Sequence, residues 1–408
     1  MLRHARAGCR YRPGVARLLV IVVAALVGVV IPATPASAEA PLRGVQLHSL
    51  WPGMDTADQD QDLDLATSAG STVVRLDVGW AGLEPDAKGR LSAWYVDRLD
   101  HVMNGARARG VQVIAMLWGT PCWATRTAIP GCRGWHPAAV STPPRDPKEY
   151  ADMARWLVDR YGSTLAALEV WNEPNLAGTR FWNTPDQAGD HLSLVRATYP
   201  AVKRVAPNVE VIAGAMAGAD TRFLRRLYEA GAKGWYDGLS LHPYGPVRRL
   251  LRQVADACAA QRAARDTTPL WLTEIGWSTT TGTGYDTVTE VEQAVRVRTA
   301  FAALDGLRRI RAIVVYNLRN TGDDPAALEE NFGLTSAGGA PKPGYFALTD
   351  ALSRTRTVAP GGRSGFRAAA GVTARRACAR AVSRGHRASS KSHRSISAPA
   401  ARAVYRSR

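Results

Sequence analysis

The chain has 408 residues, of which 46% are hydrophobic, and a formal net charge of +17 at pH 7. The positive charge lies at the two ends: residues 1–38 contain five Arg, residues 354–408 contain 14 Lys or Arg, and neither segment contains Asp or Glu. Residues 39–353 carry 33 basic and 35 acidic side chains. Because this body is close to neutral, it lacks the basic surface of a nucleic-acid-binding protein, and we expect no nucleic acid partner.

The amino-terminal segment has the order of a secretory signal. Five arginines precede an apolar run at residues 18–31, and Ala36-Ser37-Ala38 then supplies small residues for cleavage. A membrane anchor is the alternative, but the run is shorter than the roughly 20 apolar residues that a spanning helix needs. We therefore predict a signal peptide at 1–38 and a secreted, extracellular mature chain without a membrane span.

Between residues 42 and 348, short apolar or β-branched runs alternate with longer stretches of helical period. The predicted strands are 44–50, 72–78, 111–117, 165–171, 209–214, 238–242, 270–275 and 312–317. The predicted helices are 60–69, 94–108, 148–161, 187–205, 221–230, 247–264 and 288–307. Eight such units predict an α/β fold, a closed (β/α)8 TIM barrel forming one domain at 39–353. An open doubly wound sheet is the alternative, but it usually has a glycine-rich loop after its first strand, where this chain has His48-Ser49-Leu50-Trp51-Pro52.

After residue 354 the composition changes to Arg, Ala, Ser and Gly with almost no large apolar residue. Such a segment cannot build a core, so we predict a disordered basic tail at 354–408. The tail has three interpretations: a solvated extension, an electrostatic contact with anionic cell-wall polymers, or the product of a misread frame.

Four cysteines remain once Cys9 has left with the signal. Cys122 and Cys132 flank a short loop, and we predict a disulfide between them, since export permits one. A metal half-site is the alternative, but no second pair of His or Cys at ligand spacing is present, so no metal is expected. The pairing of Cys258 and Cys378 stays open.

Two apolar runs end in a glutamate, at Trp171-Asn172-Glu173-Pro174-Asn175 and at Leu272-Thr273-Glu274-Ile275-Gly276-Trp277. In a barrel, the carboxyl ends of the strands surround the active site, so both carboxyl groups should face one cleft. Two carboxyl groups suit glycoside hydrolysis, in which one protonates the leaving oxygen and the other attacks or activates water.

These two motifs resemble the strand-four and strand-seven signatures of clan A glycoside hydrolases, of family 39 or family 5 type. The resemblance implies a (β/α)8 barrel without cofactor and a retaining reaction, with Glu173 as acid/base and Glu274 as nucleophile. Glu173 would then need a raised pKa, from partial burial and the nearby charge of Glu274. By the same resemblance Asn172 contacts the sugar, and Arg75 lies close to the nucleophile.

Further substrate-binding residues follow from the same comparison and from the tryptophan content. His242 and Tyr244 match a strand-six motif that orients the nucleophile. Tyr316 stands where many clan A enzymes have a tryptophan, and His48, at the end of the first strand, is a candidate for binding a sugar hydroxyl. For Arg75, an ion pair with Asp77 is the structural alternative.

Seven of the 12 tryptophans lie just beyond predicted strand ends, where an indole can stack on the face of a sugar. They are Trp51, Trp80, Trp118, Trp123, Trp135, Trp182 and Trp277. Trp80 and Trp277 are the predicted substrate contacts, and the loop at 118–147, braced by the predicted disulfide, is the predicted groove wall.

The sequence therefore predicts a secreted retaining glycoside hydrolase that acts on a polysaccharide or oligosaccharide. A transglycosidase uses the same intermediate and remains open. The alternatives from other classes are a non-catalytic carbohydrate-binding barrel and a cell-surface adhesion protein that works through its basic tail.

Overall fold

The computed structural model describes residues 41–176, 178, 181–284, 287–357 and 378. The predicted signal peptide at 1–38 lies outside the described residues. So does the predicted disordered tail, apart from residues 354–357 and Cys378.

Eight parallel strands form a closed barrel in chain order, with the eighth paired to the first. They are β1 Leu42–Leu47, β2 Val73–Gly79, β3 Gln112–Trp118, β4 Leu165–Val170, β5 Glu210–Ala217, β6 Gly238–His242, β7 Leu270–Ile275 and β8 Ile310–Val315. Each overlaps the strand predicted at its place, and β6 and β7 have the predicted bounds. The (β/α)8 barrel is thereby confirmed.

Ten α-helices occur in the described part of the chain, most of them around the barrel. They are α1 Thr56–Ser68, α2 Trp80–Leu83, α3 Ala93–Ala108, α4 Pro137–Val140, α5 Pro147–Tyr161, α6 Gln187–Val205, α7 Thr221–Glu229, α8 Val247–Ala263, α9 Glu290–Leu304 and α10 Pro343–Thr357. Several begin at a polar residue that caps the free amides, such as Asp55 before α1 and Thr289 before α9. Within the described ranges, no helix is both long and apolar enough to cross a membrane.

The inside of the barrel has an apolar floor. Alternate residues of each strand point inward, and a buried cluster separate from the larger core fills the lower part. Its members are Leu42, Val73, Ile114, Ala166, Ala167, Ile212, Trp271, Ala312 and Val314. Two residues further along three of these strands, the next inward positions are Arg75, Glu169 and Thr273. A buried polar layer therefore covers the floor on the side where the strands end.

Strand β5 extends three residues further than predicted because it contains a bulge. Its register against β6 shifts between Ala213 and Met216, and Gly214 and Ala215 have positive φ angles of 110° and 40°. The extra residue turns the Ala215 carbonyl toward the β4 end, where it accepts a hydrogen bond from the Glu173 amide at 2.9 Å. A local irregularity in one strand thus anchors a residue of its neighbour.

Two disulfides are present among the described cysteines. Cys122 and Cys132 are bonded, which confirms the predicted bridge. Cys258, in α8, is bonded to Cys378, a pairing that the sequence left open. The second bridge spans 120 residues and ties Cys378 to α8.

Candidate active site

Arg75 lies at the centre of the polar layer and is only 1% exposed. Its Nε donates to Glu169 Oε2 at 2.6 Å, and its Nη2 donates to Asn172 Oδ1 at 2.9 Å. Its Nη1 donates to Gln46 Oε1 at 2.9 Å and to Glu274 Oε1 at 2.6 Å. Burial lowers the pKa of Arg75, but the two carboxylates raise it by more, so the guanidinium stays charged.

The structure does not contain the ion pair between Arg75 and Asp77 that was the structural alternative for Arg75. Arg75 pairs with Glu169 and Glu274. Asp77 instead accepts a hydrogen bond from Gln46 Nε2 at 2.8 Å and lies 2.9 Å from His48 Nδ1. Both residues point into the barrel from β2, but they stand at different heights, so each meets a different set of partners.

Glu169 is a residue that the motifs did not single out. Its side chain is completely buried and accepts hydrogen bonds from Arg75 and, at 2.7 Å, from Thr273 Oγ1. It lies four positions before Glu173, and strand alternation predicts its inward position on β4. A buried charge needs a close partner of opposite sign, so Glu169 balances part of the Arg75 charge.

Glu274 is 6% exposed and held by donors on both oxygens. Arg75 donates to Oε1 as described, and the Tyr244 hydroxyl donates to Oε2 at 2.7 Å. Burial raises the pKa of Glu274 and the Glu173 charge adds to this effect, whereas Arg75 and the Tyr244 hydrogen bond lower it. The net direction is upward.

Glu173 stands just beyond β4 in an unusual backbone conformation. Its φ is 44° and that of Trp171 is 70°, the left-handed region that non-glycine residues rarely enter. Neighbouring contacts hold it: the Glu173 amide donates to Ala215, and the Asn175 side chain exchanges two hydrogen bonds with the Ala217 backbone. Strain of this kind persists where the surroundings determine the conformation, and here it directs the Glu173 side chain into the cleft.

His242 lies between the two glutamates. Its Nδ1 is 2.9 Å from Glu173 Oε1 and 3.4 Å from Glu274 Oε2. Burial lowers the pKa of His242, which outweighs the opposing effect of Glu274, so the imidazole is neutral at neutral pH. His242 Nδ1 is therefore hydrogen-bonded to Glu173 and lies near Glu274 without adding a charge.

The facing carboxyl groups are close together. Atoms of Glu173, His242 and Glu274 all lie within 4.8 Å of one another, a geometry that can also hold a metal ion. The Arg75 guanidinium, 2.6 Å from Glu274, would repel a bound cation. The trio thus suits proton transfer and attack on a substrate better than metal binding.

The β1 and β8 side of the mouth carries His48, Trp51 and Tyr316. The His48 ring centroid is 4.0 Å from that of Trp51 and 5.4 Å from that of Tyr316. Trp51 Nε1 donates to Asp77 at 3.3 Å. The structure therefore places the predicted contacts His48 and Tyr316 at the mouth, together with Trp51.

Trp80 and Trp277 correct an expectation, because neither presents its ring to the groove. They are 0% and 1% exposed, and their indole N–H groups donate to Glu84 and to the Gly245 carbonyl. Trp80 opens the short helix α2, outside the inward alternation of β2, and both residues pack in the outer core. A position beyond a strand end did not reveal which way the ring points.

The pH dependence of activity should respond to Tyr244. Its own pKa lies well above the ordinary value because of burial, so its hydroxyl remains a donor. Tyr244→Phe removes a hydrogen bond that lowers the pKa of Glu274. The acid limb of kcat/KM, along which activity falls as Glu274 takes up a proton, should move to higher pH. The rate should also fall roughly 10- to 100-fold, as a hydrogen bond to a charged group is worth about 1.5–3 kcal/mol.

A pH profile from about 3 to 9 measures this shift. Tyr199→Phe is the matched control, because the Tyr199 hydroxyl contacts Asp237 on the outside of the barrel. An acid limb that stays in place in Tyr244→Phe would contradict the assigned hydrogen bond.

A family model described as Cellulase (glycosyl hydrolase family 5) matches residues 33–306, well over half of the chain. This chain belongs to glycosyl hydrolase family 5. The resemblance to clan A glycoside hydrolases is thereby confirmed.

One curated relative is a β-glucosidase of Agrobacterium sp. (strain ATCC 21400), 27% identical over 165 residues. The alignment covers 37% of this family 5 chain and 34% of the relative, so the chain spans about a third of the length of the curated relative that it matches.

Solved structures share the fold. A family 39 glycoside hydrolase from the gut symbiont Bacteroides cellulosilyticus WH2 is 24% identical with a TM-score of 0.59, covering 77% of this chain and 64% of that one. A GH5_18 variant from Streptomyces cattleya, in complex with Manβ1-4GlcNAc, is 21% identical with a TM-score of 0.62, covering 83% and 88%.

Proposed function

We propose that the protein is a retaining O-glycosidase that cleaves a polysaccharide or oligosaccharide by double displacement. The observation that carries this proposal is the separation of Glu173 and Glu274, which have carboxyl oxygens within 4.8 Å of each other. Retaining enzymes hold their carboxyl groups about 5–5.5 Å apart, whereas inverting enzymes need about 6.5–9.5 Å to admit a water molecule.

The contacts of the two carboxyl groups support different roles for them in the first step. Glu274 is buried beside a guanidinium and a tyrosine hydroxyl, which favours a carboxylate aimed at the anomeric carbon. Glu173 is next to a neutral imidazole and its side chain is 12% exposed, which suits an acid that must reach the leaving oxygen. Glu274 forms the new C–O bond while Glu173 gives its proton to the oxygen of the bond that breaks.

In the second step Glu173 acts as a base and Glu274 is the leaving group. The ester on Glu274 carries no charge, so the repulsion between the two carboxyl groups disappears. The Glu173 carboxylate can then take a proton from the attacking water. Arg75 then keeps Glu169 as its counter-ion. The buried guanidinium is therefore compensated both before and after the glycosyl–enzyme forms.

The sugar is proposed to be β-linked. The curated relative is named a β-glucosidase, and the Streptomyces cattleya structure contains Manβ1-4GlcNAc. Both names describe a β linkage, and glucose and mannose differ in whether the hydroxyl on C2 is equatorial or axial.

Mass spectrometry of the trapped intermediate tests the function. The protein is incubated with 2-deoxy-2-fluoro-β-glycosyl fluorides of glucose, mannose and xylose, because the 2-fluoro group slows both steps and the fluoride leaving group restores the first. We expect the intact mass to rise by one glycosyl unit, located on Glu274 by peptide mapping. Glu274→Gln is the matched control and should stay unlabelled. Turnover of natural oligosaccharides with no adduct on Glu274 would contradict the proposed mechanism.

We also propose that the protein is secreted. The arginines before the apolar run at 18–31 and the small residues at 36–38 support this. Sequencing the amino terminus of protein recovered from the medium should find Glu39 first; recovery from the cells alone, with Met1 intact, would contradict it.

A further inference from the structure

Three aromatic rings form a contiguous cluster beside the ends of β3 and β4, with the plane of Trp118 inclined by 75° to that of Trp135 and by 52° to that of Phe181. The ring centroid of Trp118 lies 5.0 Å from that of Trp135 and 5.6 Å from that of Phe181. Trp135 is 47% exposed, and the other two are half-buried. We call these three residues the aromatic platform.

The platform belongs to the mouth of the barrel. Trp118 ends β3 at an inward position, since Ile114, four residues earlier, is part of the apolar floor. Its ring packs against the edge of the larger core and stays only partly buried. It meets Trp135, which lies in the loop after β3, three positions beyond Cys132 of the Cys122–Cys132 bridge.

The platform lies on the same side of the mouth as Glu173. Strands β3 and β4 are paired, and the Trp171 amide donates to the Leu117 carbonyl at 3.1 Å. The indole N–H of Trp171 donates to the Phe181 carbonyl at 2.6 Å. Trp171, two positions before Glu173, thus contacts both the strand that carries Trp118 and the segment that carries Phe181.

Trp135 is held in place rather than merely exposed. A Cβ atom at Gly79 would come within 2.7 Å of its indole, and one at Gly119 within 3.0 Å. Its ring therefore rests on the backbone at the ends of β2 and β3, where both residues are glycine. The disulfide partner Cys132 is three residues away, which limits the movement of this loop.

Resting on the proposed function, we propose that the aromatic platform binds the sugar unit on the leaving-group side of the cleaved bond. Glu173 must stand beside the oxygen that it protonates, so the departing sugar lies on the Glu173 side. A pyranose presents a flat C–H face that stacks on an indole, and none of the three rings carries a charge. The ligand class is therefore a neutral pyranose, and the same surface receives an acceptor sugar when one intercepts the intermediate.

Reactivation of the trapped enzyme tests this inference. The 2-fluoroglycosyl enzyme is prepared, freed of reagent, and incubated with increasing methyl β-glucopyranoside while the return of activity is followed. In the native protein, the reactivation rate should rise and saturate with the concentration of this sugar. In Trp135→Ala, the half-saturating concentration should increase roughly tenfold, as loss of one stacking partner typically costs that much. Reactivation by water alone should be unchanged.

Two further variants distinguish the loss of a stacking ring from a general disruption of the structure. Trp135→Phe keeps a ring and should recover part of the acceptor binding. Trp235→Ala removes a tryptophan of similar exposure, 37%, from the loop before β6 at the opposite end of the barrel, and should behave as native. Equal half-saturating concentrations in native protein and Trp135→Ala would contradict the proposed role of the aromatic platform and leave the proposed function unaffected. Failure of the native protein to become labelled contradicts the proposed function, and this inference with it.

Discussion

Glu274→Ala should reduce kcat/KM by roughly 10⁴-fold or more, as expected when a nucleophile is removed. The change leaves a cavity beside Arg75 where the carboxylate stood, 2.6 Å from Nη1. A small anion can enter this cavity and attack the anomeric carbon directly. Adding azide should therefore restore turnover of an aryl glycoside with a good leaving group, and the product should be a glycosyl azide of inverted configuration.

Product analysis by NMR and a thermal melt of the variant measure this result. The melt establishes that the barrel is intact, and Glu229→Ala, which alters a carboxylate that is 65% exposed on α7, is the control for a surface change. Activity close to native in Glu274→Ala, or an azide product of retained configuration, would rule out Glu274 as the nucleophile.

Glu173→Ala should affect substrates according to their leaving group. General acid catalysis is worth roughly 10²- to 10⁴-fold, so glycosides with a poor leaving group, including natural oligosaccharides, should lose about that much in kcat/KM. A 2,4-dinitrophenyl glycoside needs no proton and should form the glycosyl–enzyme almost as fast as before. Because deglycosylation then lacks its base, kcat should fall and the intermediate should accumulate.

A series of aryl glycosides of differing leaving-group acidity measures this dependence. Azide should accelerate the slow second step and yield a product of retained configuration, the opposite of the result for Glu274→Ala. Equal losses for good and poor leaving groups would contradict the role of Glu173 as acid. The opposite stereochemical outcomes of the two variants distinguish the two carboxyl groups without reference to any relative.

The barrel was predictable because its signals are local. Each strand is a short apolar run and each helix a longer amphipathic stretch, and even β6 and β7 could be bounded correctly. Parallel strands in chain order put their carboxyl ends on one rim, so two glutamates 101 positions apart could be expected to meet. The structure brings them together, while their catalytic roles stay predictions for the experiments above.

The sequence by itself determined the fold class, the positions of Glu173 and Glu274 at two strand ends, and the bridge between Cys122 and Cys132, because neighbouring residues carry each of these signals. Only the tertiary structure decided which side chains point into the cleft. Trp80 and Trp277 proved buried, and Cys258 found its partner 120 residues away.

The motifs did not identify Glu169 for the same reason. Its contact with Arg75 depends on three strands that close around one guanidinium. Strand alternation tells which residues share a face, but burial and partner choice depend on what the other strands and loops bring to that face. The contacts of the active site are therefore a property of the closed barrel, and no single motif contains them.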